Sequence, residues 1–170
     1  EYPSVLLIYT GGTIGMIENP ETGALEAFNF DQLQDNVPEL KRFNYRISSY
    51  QFNPPIDSSD MEPALWAKLV KIIKYNYDNF DGFVILHGTD TMAYTAAALS
   101  YLIQDSVKPI VLTGSQKPMA NPYTDAKINL FQSILYAADD LSCNVCIVFN
   151  GKVVAGTRGR KQRTRSFDAF

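Results

Sequence analysis

The chain has 170 residues, of which 46% are hydrophobic and 19% charged. That composition excludes a disordered protein and supplies a core for one good-sized domain without staples. A net charge of −3 argues against general nucleic-acid binding, and the absence of an 18-residue apolar run argues against a transmembrane helix.

The first predicted element is the apolar run Val5–Tyr9, which breaks into "TGGT". Three similar runs follow: Phe83–His87 before "GTDT", Pro109–Leu112 before "TGSQKP" and Val145–Phe149 before "NGKV". Segments of helical spacing lie between them. In "PALWAKLVKIIKYNY", Leu65, Leu69, Ile72 and Ile73 form one stripe, with Lys68, Lys71 and Lys74 elsewhere. "TMAYTAAALSYLIQ" is apolar all round, and "DAKINLFQSILYAADD" turns Ile128, Phe131, Ile134 and Leu135 inward. Strands alternating with helices predict a mostly parallel sheet with helices on both faces, a Rossmann-like three-layer α/β sandwich. Residues Ile17 to Ala27 have no period and are expected to form an ordered loop or a flap over the first break.

Ligands of open α/β sheets bind beyond the carboxyl ends of the strands. Thr13, Thr89, Asp90 and Ser115 follow such ends and are expected to converge on one crevice. "GGTIG" lacks both the spacing of a dinucleotide fingerprint and the lysine of a phosphate-binding loop. Flanking glycines instead let the backbone approach a ligand and leave the Thr13 hydroxyl uncrowded. A threonine hydroxyl needs a group that takes its proton. His87 is one candidate, but a histidine ending an apolar strand is more often packed and hydrogen-bonded than catalytic. Lys161 is the other. It lies in "RGRKQRTR" beside Arg158, Arg160, Arg163 and Arg165, a field favouring its neutral form. The plain alternative for that run is a solvated basic loop. Removing its five charges from the net −3 leaves −8 on the remainder, so it does not make a nucleic-acid binder. In "PPIDSSDM", Ser59 or Asp60 is expected to cap a helix with Pro63 in its first turn. Cys143 and Cys146, with one histidine in the chain, fall short of a zinc set and are read as two core thiols.

"TGGTIG" and "HGTDTM", with "DSSDM", "GSQKP" and "KINL" in that order, resemble the bacterial-type L-asparaginases of the asparaginase/glutaminase family, in their cytoplasmic type I branch. The resemblance covers essentially the whole chain. It implies hydrolysis of L-asparagine, and of L-glutamine to an unsettled extent, without cofactor or metal. Thr13 matches the threonine taken as nucleophile, and Thr89, Asp90 and Lys161 match a hydrogen-bonded triad. Asp90 would also hold the substrate ammonium, and Ser58, with Ser59 beside it, the carboxylate. The Thr113–Ser115 turn would set a backbone carbonyl near the leaving nitrogen. The resemblance further implies a cytoplasmic homodimer or dimer of dimers. It makes residues 1–170 the N-terminal catalytic domain, without the family's smaller C-terminal domain and with little or no activity alone.

One departure stands out. The family often carries a flap tyrosine, whereas residues 16 to 30 contain none and the matching position is Ala24 or Leu25. Two other readings compete. One is the asparaginase-like component of a tRNA-dependent amidotransferase, disfavoured because that component usually carries an N-terminal β domain. The other is a non-catalytic amino-acid-binding module.

Overall fold

The computed structural model describes residues 2–27, 29, 37–52, 54–56, 62–119, 125–156 and 164–166. Among these, β1 (Ser4–Tyr9), β4 (Arg46–Gln51), β5 (Gly82–Leu86), β6 (Ile110–Thr113), β7 (Val145–Phe149), β8 (Lys152–Ala155) and β9 (Thr164–Ser166) form one sheet. Two further strands, β2 (Met16–Glu18) and β3 (Leu25–Ala27), pair with each other. The order across the large sheet is β4-β1-β5-β6-β7-β8-β9. The five from β4 to β7 pair in parallel, while β8 and β9 add antiparallel strands. The expected α/β sandwich with a mostly parallel sheet is the fold observed.

The four apolar runs are β1, β5, β6 and β7, and β1, β5 and β6 are buried along their whole length. Alternate residues feed opposite layers, as the pleat requires. Leu6 and Ile8 pack with Leu69, Ile73, Ala96 and Leu99 from helices α1 (Pro63–Asn76) and α2 (Met92–Leu102). Val5, Leu7 and Tyr9 pack with Ala126, Leu130, Ile134 and Ala137 of α3 (Asp125–Ala138). The α1 stripe is as expected, with its lysines exposed.

Three expectations need correction. Ile128 is 58% exposed, because the buried face of α3 runs through Ala126, Asn129, Leu130, Ser133, Ile134 and Ala137. Cys143 precedes β7 and is exposed, so only Cys146 is a core thiol, and burial pushes its pKa up to about 12. The cap of α1 is Glu62, without a side-chain bond, rather than Ser59 or Asp60; Pro63 does occupy the first turn. Residues 17–27, expected to form an ordered loop or a flap over the first break, contain most of the antiparallel β2–β3 hairpin. Asn19 Oδ1 accepts the amides of Glu21 and Thr22 in its turn, which Gly23 closes at φ 73.

Connections from β1 and β5 leave in opposite directions, to β4 on one side and β6 on the other. The crevice between them is therefore a topological switch point. The β6–α3–β7 connection moves across the sheet in the same direction as β5–α2–β6 but on the other face. It is thus of opposite hand, against the usual uniformity of such crossovers. To change face, the chain after β6 passes over the strand ends: Met119 joins the α3 layer, and its N–H donates to the Met16 carbonyl at 3.2 Å.

Candidate active site

Thr13 follows β1, Thr89 and Asp90 follow β5, and Ser115 follows β6. All four line one cleft of about 470 Å³ with Gly12, Met16, Leu25, Pro55, Ile56, Gly88 and Gln116. The breaks are fastened to one another. Thr10 donates to the Leu86 carbonyl from both its amide (3.1 Å) and its hydroxyl (2.9 Å), and His87 N donates to the Thr113 carbonyl at 2.9 Å. Ile56 N donates to the Thr10 carbonyl at 2.8 Å, drawing the segment after β4 against the first break.

Glycines let the turns approach this closely. Gly12 sits at φ 94, and a Cβ there would come within 2.6 Å of Gly88 N. A Cβ on Gly114 would come within 2.4 Å of the His87 carbonyl. Both are closer than a side chain tolerates, and the Gly12 backbone is one that L-residues avoid.

His87 lies behind the cleft and is fully buried. Its Nδ1 bonds the Gly88 carbonyl (2.6 Å) and its Nε2 bonds Thr95 Oγ1 (2.9 Å), which in turn accepts Trp66 Nε1–H at 3.0 Å. Burial lowers its pKa, so the ring is neutral. A carbonyl only accepts, so Nδ1 carries the proton, and Nε2 accepts from the threonine hydroxyl. Both nitrogens are occupied, which makes His87 the packed, bonded histidine rather than a free base.

Ser115 is buried, and its hydroxyl donates to the Lys117 carbonyl at 2.6 Å. The Gly114 carbonyl accepts Asn129 Nδ2 at 2.9 Å. The serine side chain is thus committed to its own turn, as is one carbonyl of the stretch expected beside the leaving nitrogen. Asp125 fixes the same loop by accepting the amides of Gln116 (3.0 Å) and Lys117 (3.3 Å). Ser58, Ser59 and Lys161 lie outside the described residues.

Sequence reasoning missed several lining residues. Gln116 Nε2 reaches Thr89 Oγ1 at 3.4 Å, and its position inside "GSQKP" was the available signal. Met16 and Leu25 arrive on the hairpin. Leu25, one of the two positions expected to match a flap tyrosine, is among the residues that line the cleft.

A family model described as asparaginase, N-terminal, matches residues 4–170. The chain belongs to the asparaginase family. It is 41% identical over 172 residues to L-asparaginase 1 of Escherichia coli K12, covering 98% of this chain and 50% of that protein. It is 37% identical over 195 residues to an L-asparaginase of Dirofilaria immitis, covering 100% of this chain and 33% of that protein. A component of the glutamyl-tRNA(Gln) amidotransferase of Pyrococcus horikoshii is 38% identical over 177 residues, covering 99% of this chain and 40% of that protein. The crystal structure of L-asparaginase I from Vibrio cholerae superposes with a TM-score of 0.83 at 38% identity, covering 98% of this chain and 52% of that one. The chain spans half or less of the length of these curated relatives. Among the described residues no helix is long and apolar enough to cross a membrane.

Proposed function

We propose that the whole protein is an amidohydrolase that converts L-asparagine to L-aspartate and ammonia through a threonine nucleophile. The observation that carries this is the meeting of Thr13, Thr89 and Asp90, from two separate strand ends, in one small-molecule cleft. Thr13 Oγ1 attacks the side-chain amide carbon, and its proton passes to the Thr89–Asp90–Lys161 triad. The carbonyl electrons move onto oxygen, where backbone N–H groups meet the charge. On collapse the carbon–nitrogen bond breaks, nitrogen takes the proton and ammonia leaves. Water then cleaves the threonyl ester, releasing aspartate and restoring the hydroxyl. Asp90 holds the substrate ammonium, Ser58 and Ser59 its carboxylate, and Ser115 shapes the end that holds the leaving group. No cofactor or metal takes part.

Residues 1–170 are, in this reading, the N-terminal catalytic domain of a longer cytoplasmic enzyme that works as a homodimer or dimer of dimers. Discrimination between asparagine and glutamine rests on one methylene, worth about 1–3 kcal/mol. A second reading draws on the likeness to the Pyrococcus horikoshii amidotransferase component: an asparaginase-like protein that releases ammonia for a partner.

The deciding experiment is ammonia release from L-asparagine by the full-length protein alone. Release without tRNA or partner supports the free enzyme, while release only with them supports the amidotransferase component. Thr13→Ala is expected to lower the rate about a thousandfold or more; near-normal turnover would remove Thr13 as nucleophile.

A further inference from the structure

Two fully buried rings stand directly behind the cleft without lining it. Tyr9 donates its hydroxyl to the Gly12 carbonyl at 2.9 Å, and His87 donates Nδ1–H to the Gly88 carbonyl at 2.6 Å. Each carbonyl belongs to the peptide plane that precedes a site threonine. A trans peptide is rigid, so a carbonyl held inward sends the N–H of the same plane the opposite way. Those N–H groups belong to Thr13 and Thr89, both on the cleft wall, and neither has a backbone partner among the described residues. The two planes are neighbours, since Gly12 abuts the Gly88 nitrogen.

Each ring is itself locked. A Cβ on Gly15 would fall 2.2 Å from the Tyr9 ring, so that glycine is the bed on which the ring lies. His87 is held from its far side by Thr95, which is held by Trp66 of α1. Burial keeps Tyr9 a neutral donor by raising its pKa to about 12.

We propose that Tyr9 and His87 are a matched pair of positioning residues, each clamping one peptide so that the Thr13 and Thr89 N–H groups face the oxyanion formed on amide attack. The inference rests on the amidohydrolase reading above. Neither side chain touches substrate; each acts through a peptide plane, and because the developing charge exists only in the transition state the effect belongs in kcat rather than KM.

The test uses the full-length enzyme, with steady-state ammonia release from L-asparagine and a thermal midpoint for each variant. Tyr9→Phe removes only the donor and keeps the ring. His87→Asn keeps an N–H near the place of Nδ1, whereas His87→Gln keeps one only near Nε2. Tyr9→Phe and His87→Gln are each expected to lower kcat on the order of tenfold or more with KM within about threefold. His87→Asn is expected to keep more kcat than His87→Gln, a ranking that a purely packing role does not produce. Wild-type kcat in folded Tyr9→Phe overturns the proposal, and that variant decides alone if the histidine variants fail to fold. Equal losses in the two histidine variants, shared between kcat and KM, also overturn it. Wild-type protein that releases no ammonia overturns the amidohydrolase reading, and this inference with it. Active wild type with an unaffected Tyr9→Phe overturns this inference alone.

Discussion

The sheet has a cleft at each end, and the two are nearly equal in size. The one at the carboxyl ends of β1 and β5 measures about 470 Å³, and the one at the amino ends about 460 Å³, lined by Ser4, Arg46, Asp78, Asp81, Lys108 and Asp139 among others. Both are rich in polar groups, but these are used differently. At the amino end, Asp81 Oδ2 accepts the Ser4 amide (2.8 Å) and hydroxyl (3.3 Å), and Lys108 Nζ donates to the Tyr77 carbonyl while lying over its ring. At the carboxyl end, the Thr13 and Asp90 side chains make no such bond among the described residues, and Thr89 Oγ1 has only the long contact from Gln116. Committed polar groups hold the fold, whereas uncommitted ones beside a clamped backbone remain available to a ligand. Volume alone does not separate the two ends.

Mutation should separate them by which quantity moves. The largest effect is that of Thr13→Ala, which removes turnover and leaves the thermal midpoint nearly unmoved, because the hydroxyl makes no hydrogen bond among the described residues. A large fall in midpoint would mean that the carboxyl end is as structural as the other. Gly12→Ala should cost both. Its Cβ meets the Gly88 backbone at a φ that alanine avoids, so a loss of about 2 kcal/mol or more in denaturant unfolding is expected, with activity abolished. Wild-type stability there would show that the two breaks are not pressed together. Asp81→Asn is the mirror case: about 1 kcal/mol lost in urea titration through the weakened bonds to Ser4, with kcat and KM unchanged. A change in kinetics without a change in stability would reassign the amino-end cleft to function.

The inner sheet was legible because burial on both faces leaves an unbroken apolar run followed by a Gly-containing turn, as in Val5–Tyr9 before Gly11 and Gly12. β4 was not legible, because it is an edge strand, "RISSYQ", with only Ile47 half-buried toward the core and the rest exposed. β8 had a signal that went unused. Asn150-Gly151, both at positive φ (51 and 75), is the tight hairpin turn that follows β7. Ile128 was misplaced because α3 buries polar residues that a hydrophobic stripe does not count. Asn129 donates to the Gly114 carbonyl and accepts the Asn150 amide at 3.1 Å, tying the ends of β6 and β7 together. The site threonines and Asp90 could be placed from the rule about strand ends. Gln116, next to Ser115 at the end of β6, lay within reach of the same rule, whereas Met16 did not, because the hairpin brings it in from outside that rule.

The smallest effect sharpens the comparison within the active end itself. The hairpin carries Leu25, 54% exposed, onto the cleft, whereas the walls behind are buried. A lid residue of this kind contributes cover rather than support. Leu25→Ala should leave unfolding within about 0.5 kcal/mol, as for other exposed substitutions. It should raise KM for L-asparagine about two- to fivefold by withdrawing apolar contact from one side of the bound substrate. Leu25→Tyr enlarges the apolar cover on the same side, and it should lower KM or raise kcat by a similar factor. If both substitutions leave the kinetics of the full-length enzyme unmoved, the hairpin does not close over the substrate, and the carboxyl-end cleft acts through its walls alone.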